Sequence, residues 1–277
     1  MYKYKSTPKS ISTPKYISKK IQYPNIVILD NDECLGQFGI FSIFFNVCNM
    51  SNSLPVDMEL LKKSLIKYLL SKGAARPYLK YLFKLLQKLK QLKKIDKIVM
   101  HTSAPNKLHN HKSGYIYFLK DCLEQYCNTP KLYDIVFHRN NIKAKISSCG
   151  ATIKDIGNVL LKNNQLRNKL YNNDRNLNKF VNKMSKNIIM VDDKPQNINK
   201  RSGKVIGVKP YHYPFKIINI YKCIKSVPNL EQNFKLSNMY NLIFIECQHN
   251  ILKHGNKINK DNNLQKVFSI ILKKFNK

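Results

Sequence analysis

The stretch Asn25–Glu33, NIVILDNDE, decides the fold. Four consecutive aliphatic residues, Ile26 to Leu29, end abruptly in three acids within four positions, Asp30, Asp32 and Glu33. A strand with one wet face alternates apolar and polar residues, whereas a run that is apolar throughout must be buried on both faces, as in a parallel sheet covered by helices. Similar runs follow along the chain. Lys97–His101 (KIVMH), Leu132–His138, Asn187–Val191 (NIIMV) and Lys204–Val208 read as further strands. Between them, Asp57–Ser71 and Arg76–Lys94 repeat large apolar residues at three- and four-residue spacing with Lys on the other face, and Gly73 breaks the two helices apart. His111–Tyr126 predicts another helix, and a short one starts at Thr152. Strands alternating with helices predict an α/β fold with a doubly wound parallel sheet, in which ligands bind beyond the carboxyl ends of the strands.

The remaining sequence divides by composition. Residues 1–22 hold six Lys and no acid, with the near-repeat Ser6-Thr7-Pro8-Lys9 and Ser12-Thr13-Pro14-Lys15, and are expected to form a disordered basic arm. Residues 23–225 form the expected α/β domain, with small helical insertions. Residues 226–277 form a C-terminal helical extension packed on the core, with helices over Tyr240–Lys253 and Leu264–Lys274. The Asn-rich stretches 158–187 and 226–238 read as loop-like insertions.

The charge balance needs an explanation of its own. The 277 residues carry 49 Lys+Arg against 16 Asp+Glu, a formal charge of +33. Only five of the 49 are Arg, and Lys, Asn and Ile, all encoded by A/T-rich codons, make up 107 residues. Two readings stand: affinity for nucleic acid, or a coding bias such as that of a large DNA virus. Readers of bases or phosphates that use bidentate contacts are richer in Arg. The longest apolar run, Phe38–Cys48, is short of the roughly 18 residues of a membrane span. The N-terminus has no apolar core of a secretory signal, so an intracellular protein, in cytoplasm or nucleus, is expected. Seven scattered cysteines without a C-x-x-C pair argue against a disulfide scaffold and a structural zinc site. His101, His109, His111 and His138 read as loop or edge histidines.

Five of the 16 acids fall in two short segments, Asp30, Asp32 and Glu33 after the first strand and Asp192 and Asp193 after NIIMV. Carboxylates crowded at strand ends repel one another unless a cation neutralises them, and hard oxygen ligands suit Mg2+. Asp residues that merely cap turns explain one acid per strand, not two doubled sets.

These residues resemble a known family. IVIL followed by Asp30-Asn31-Asp32-Glu33-Cys34-Leu35 is similar to the first motif, D-x-D-x-T/V, of the haloacid dehalogenase (HAD)-like superfamily. It is most similar to the D-L-D-E-T-L form of the phosphatases that act on the C-terminal domain of RNA polymerase II, the NLI-interacting-factor-like family. KIVMHTS (97–103) resembles the second motif, with Thr102 in the Thr/Ser position and Ser103 as its competitor. VFHRN (136–140) followed by Thr152-Ile153-Lys154-Asp155-Ile156 resembles the F-H-R-G-N…V-K-D-L segment, across a longer spacer. IIMVDDKPQN (188–197) resembles the fourth motif, and Arg76-Pro77 resembles the family's R-P before a helix. Four motifs in order over residues 24–215 are far more specific than any one alone. Cys34 replaces the usual Thr or Val, and Asn31 replaces an apolar residue.

The resemblance implies a division of labour. Asp30 would be the nucleophile that forms an aspartyl-phosphate. Asp32 would be the general acid–base, while Thr102 and Lys154 would bind and neutralise the phosphoryl group. Asp192 and Asp193 would hold Mg2+ with Asp30 and the backbone carbonyl of Asp32, and Arg139, Ser103 and Lys194 would contact substrate. An ordinary surface Lys is the other reading of Lys154.

The segment between the first two motifs leaves no room for a large cap, so the site is expected to be open and to favour a phosphorylated protein or a nucleic-acid end. Eight positive charges between Lys194 and Lys225, with Tyr211, Tyr213 and Phe215 among them, read either as a surface for such a partner or as a solvated Lys-rich face over core aromatics. The expected activity is a Mg2+-dependent phosphatase acting on phosphoserine or phosphothreonine in protein. The alternatives are a polynucleotide end phosphatase and a catalytically weak HAD-like structural or nucleic-acid-binding protein, and no membrane partner is expected.

Overall fold

The computed structural model describes residues 23–102, 104, 114–138, 145–146, 152–153, 185–198, 203–254 and 261–275. Five strands form one parallel sheet: β1 (Ile26–Asp30), β2 (Lys97–His101), β3 (Ile135–Phe137), β6 (Ile188–Asp192) and β7 (Lys204–Gly207), in the order β3-β2-β1-β6-β7. The chain runs outward from β1 to β3, then returns to lay β6 against the other side of β1. This is the doubly wound order, and its switch point lies between β1 and β6. All five residues of β1 are buried, as are all five of β6, which is why both read as unbroken apolar runs. Val27, Leu29, Ile98, Met100, Ile189 and Val191 join the larger core on one face of the sheet. Ile26, Ile28, Val99, Ile188 and Met190 line a second core on the other, so the two-residue period of the strand is spent on two interiors.

The larger core is built from helices. α1 (Gly39–Cys48) carries Phe41, Phe44 and Phe45 inward. α2 (Met58–Tyr68) starts at Asp57, whose carboxylate accepts from the backbone N–H groups of Glu59 and Leu60, a cap worth about 1 kcal/mol. α3 (Leu79–Gln91) buries six apolar residues. α4 (Gly114–Cys127) crosses from β2 to β3. Beyond β7 come α5 (Ile217–Lys225), α6 (Leu230–Ser237), α7 (Tyr240–His254) and α8 (Asn263–Phe275). Leu230, Phe234, Ile243, Val267 and Ile271 of these helices belong to the same core as α1 and α3, and Phe44 meets Phe234 edge-on at 5.2 Å. Among the described residues no helix is long and apolar enough to cross a membrane.

Several expectations are corrected. The helix expected from Thr152 is, over Thr152–Ile153, the strand β5, paired antiparallel with β4 (Lys145–Ile146). The stretch 226–238, expected as an Asn-rich loop, contains α6, with Asn229 and Asn238 at its two ends in left-handed backbone (φ +64° and +54°), a conformation Asn tolerates well. α3 begins three residues later than the periodicity of 76–94 implies, because Tyr78, at φ +67°, is not helical. The strand expected over 132–138 keeps only its centre, residues 135–137. His101 is not a loop or edge residue but the fully buried end of an interior strand. Of the two readings of Tyr211, Tyr213 and Phe215, core aromatics is the one found: all three are buried, and the hydroxyls of Tyr211 and Tyr213 donate to the carbonyls of Gly73 and Lys72. The basic arm 1–22 and most of the stretch 158–187 lie outside the described residues.

Candidate active site

β1 and β6 are neighbours at the switch point, so the residues that end them open onto one crevice. Asp30 ends β1, Asp192 ends β6 and Asp193 follows directly, and all three are buried. One carboxylate oxygen from each lies within 4.8 Å of the other two. Burial pushes the Asp193 carboxyl up from its ordinary value; its hydrogen bond with Asp30 and the Lys194 ammonium pull it back, while Asp192 and Glu33 add to the rise. Such crowding of like charges away from water is unfavourable by itself. A small divalent cation relieves it. Ligand oxygens about 2.1 Å from one Mg2+ stand at most about 4.2 Å apart, so these carboxylates need close by only a fraction of an ångström. Three hard oxygens, buried on rigid strand ends, therefore fit a cation such as Mg2+ through Asp30, Asp192 and Asp193.

The surroundings hold those carboxylates in place. Asp192 Oδ1 accepts from the backbone N–H of Lys194 at 2.7 Å, and its carbonyl accepts from Val208 at 3.0 Å. The half-exposed Lys194 ammonium lies 3.2 Å from Glu33 and 3.5 Å from Asp193, bridging the loops after β1 and β6. Residues 31–36 form a tight turn: Leu35 N–H donates to the Asn31 carbonyl and Glu33 N–H to that of Gly36, each at 2.8 Å, with Glu33 in left-handed backbone at φ +59°. Gly36 is required there, since a Cβ would meet the Ala74 carbonyl oxygen at 2.4 Å. Cys34 is fully buried under the site; burial pushes its thiol up, and Asp30, Asp192 and Asp193 push it further.

The other expected site residues fall as follows. Thr102 directly follows His101, the partner of Asp30 across the sheet; it is buried, donates its N–H to the Phe137 carbonyl at 2.9 Å and accepts from Ala104 N–H on Oγ1 at 3.1 Å. Asp32 lies in the turn, bridged to Gly36, and its side chain is not one of the three clustered carboxylates. Ser103, Arg139 and Lys154 lie outside the described residues. Two residues acquire a place that composition and periodicity do not give them. Arg76 is buried beneath the turn, and Asp261, ahead of α8, pairs with it at 2.7 Å. The usable signal was an Arg kept in a chain where 44 of 49 basic residues are Lys.

No family model matches the chain, and no curated protein matches it. Among solved structures, a putative β-phosphoglucomutase from Thermotoga maritima aligns with 72% of this chain and 98% of its own, at 15% identity and a TM-score of 0.29. Agreement this loose carries no information about chemistry, which rests on the side chains around Asp30.

Proposed function

We propose that the chain is a Mg2+-dependent phosphatase of the HAD-like type, resembling the RNA polymerase II C-terminal-domain phosphatases and acting on phosphoserine or phosphothreonine in proteins. The observation that carries this reading is the buried Asp30–Asp192–Asp193 cluster at the switch point, with a further carboxylate, Asp32, two residues past the first. Bound there, Mg2+ would neutralise the phosphoryl oxygens and the carboxylates that face them. Asp30 Oδ attacks phosphorus, the new O–P bond forms as the ester P–O bond breaks, and Asp32 gives its proton to the leaving oxygen. Asp32 then takes a proton from water as that water attacks phosphorus, releasing phosphate and restoring Asp30. In this reading Thr102 donates to a phosphoryl oxygen, Lys154 neutralises its charge, and Ser103, Arg139 and Lys194 contact the substrate.

The formal charge of +33 supports a second reading, the polynucleotide end phosphatase. One panel separates them: Mg2+-dependent phosphate release from phosphoserine peptides and from 5′- and 3′-phosphorylated oligonucleotides, with Asp30→Asn as control. Turnover of peptides and not of oligonucleotides is expected. Turnover of oligonucleotides alone makes the second reading correct. Release in neither case, without Mg2+ binding, leaves a structural or nucleic-acid-binding protein.

A further inference from the structure

We propose that Arg76 is a positioning residue for the carboxylate site and that Asp261, brought in by the C-terminal helices, locks it in that role; this rests on the Mg2+ site proposed above. Arg76 is 2% exposed, so its charge is removed from water and every N–H must find an acceptor. Nε, Nη1 and Nη2 each find at least one, on three separate segments. Nη1 donates to the Cys34 carbonyl at 2.8 Å and to that of Glu33 at 3.3 Å; Nη2 donates to the Lys209 carbonyl at 2.6 Å. Nε donates to Asp261 Oδ2 at 2.7 Å, and the Arg76 backbone N–H reaches the Leu35 carbonyl at 3.0 Å. The guanidinium also lies 5.4 Å from the centre of the Tyr211 ring, whose backbone N–H donates to Glu33 at 2.7 Å.

The turn that carries Asp30 into Asp32 is thus tied to one buried residue, through the carbonyls of Glu33 and Cys34 to its guanidinium and through that of Leu35 to its backbone N–H. A flat guanidinium satisfies such divergent acceptors at once, and a lysine ammonium cannot. Arg76 needs a counter-charge, because a buried cation facing only carbonyls is costly. Asp261 supplies it from 185 positions along the chain. The other oxygen of Asp261 accepts from the N–H and the side-chain amide of Asn263, both at 2.8 Å, and so opens α8. The start of the last helix and the turn beside the nucleophile therefore share one ion pair. Anything that displaces α8 loosens the turn whose residues aim Asp30 and Asp32.

Asp261→Asn separates these roles. Its amide oxygen still accepts from Asn263 and starts α8, while its NH2 group faces Arg76 Nε, donor against donor. Two readouts follow, hydrogen–deuterium exchange of residues 31–36 and the Kd for Mg2+ alone by calorimetry. Exchange is expected to quicken at least tenfold and Mg2+ to bind about 10–100-fold more weakly, as when a partner behind a metal ligand is lost. Arg76→Lys, which keeps the charge, should move both in the same direction. Asp134→Ala is the control. It removes the carboxylate that pairs with Lys90 and accepts from Ile98 N–H at the other end of the sheet, and it should lower the Tm without changing either readout. If the wild type binds Mg2+ and Asp261→Asn alters neither readout, or alters exchange without affinity, the positioning role is overturned while the site stands. If the wild type binds no Mg2+, the metal site falls and exchange alone decides the clamp: unchanged rates overturn it, faster rates support it.

Discussion

Asp193→Asn should stabilise the metal-free protein and destroy its response to Mg2+. The Asp193 carboxylate has an oxygen within 4.8 Å of one from Asp30 and one from Asp192. At an effective dielectric of about 20, two unit charges at that separation repel by about 3.5 kcal/mol. The hydrogen bond with Asp30 and the Lys194 ammonium at 3.5 Å take up part of this, and half-exposed Lys194 is screened by solvent. A net gain of about 1–2 kcal/mol is expected on removing the charge, or about 2–8 °C in Tm for a chain of this size. The pH dependence has a definite sign. Burial raises the Asp193 carboxyl in the folded protein above its ordinary value of 3.8, so the folded state binds that proton more tightly than the unfolded chain. The stability it contributes is fully present below 3.8 and is lost as pH rises through the raised native value. The advantage of Asp193→Asn in EDTA should therefore grow from pH 4 to pH 7. Mg2+ at one hundred times its Kd should raise wild-type stability by about 2.7 kcal/mol and the variant much less. Differential scanning calorimetry in EDTA and in Mg2+ measures all of this. A variant less stable than wild type in EDTA at pH 7, or one equally stabilised by Mg2+, refutes the reasoning.

Other perturbations test other links. Gly36→Ala puts a methyl group 2.4 Å from the Ala74 carbonyl oxygen, and overpacking of this kind costs about 1–3 kcal/mol in urea unfolding; an unchanged midpoint would mean that the turn is not tightly held. Phe234→Ala removes the ring that meets Phe44 at 5.2 Å and should cost about 3–5 kcal/mol, with the whole domain melting in one transition; a separate early transition of the C-terminal helices would contradict their sharing the core. Burial pushes the Cys48 thiol up from 9.0 to about 12. At pH 8 the thiolate is then about a thousandfold scarcer than in an ordinary cysteine, so iodoacetamide should modify the partly buried Cys48 about a thousandfold more slowly than a free thiol, and fast labelling at that position would contradict the raised thiol.

The central strands were legible because a strand buried on both faces is apolar without interruption, and Ile26–Leu29 and Ile188–Val191 are such runs, each ending in acid. That pattern gave the sheet, the switch point and the convergence of Asp30 with Asp192 and Asp193. α5 is short, and although Ile220, Cys223 and Ile224 bury one face at three- and four-residue spacing, the exposed Ile217, Ile218 and Tyr221 beside them blur that stripe in the sequence. α6 escaped because its flanking Asn residues read as loop, although they are the residues that take left-handed backbone at helix ends. The sequence leaves the aromatics over 211–215 open between surface and core, because a Tyr that buries its ring and donates its hydroxyl to a carbonyl looks, in sequence, like one that faces solvent. Arg76 carries a signal in sequence, but Asp261 is ordinary locally, and only the folded chain brings the two together.

The most direct test is to look for phosphate on Asp30. Wild-type protein is mixed with a radiolabelled phosphoserine peptide and Mg2+, quenched in acid within the first turnover, digested and mapped by mass spectrometry. The account predicts a hydroxylamine-labile phosphate on Asp30 that is absent without Mg2+ and absent in Asp30→Asn. Phosphate release with no label on Asp30, or with label on another residue, would contradict it.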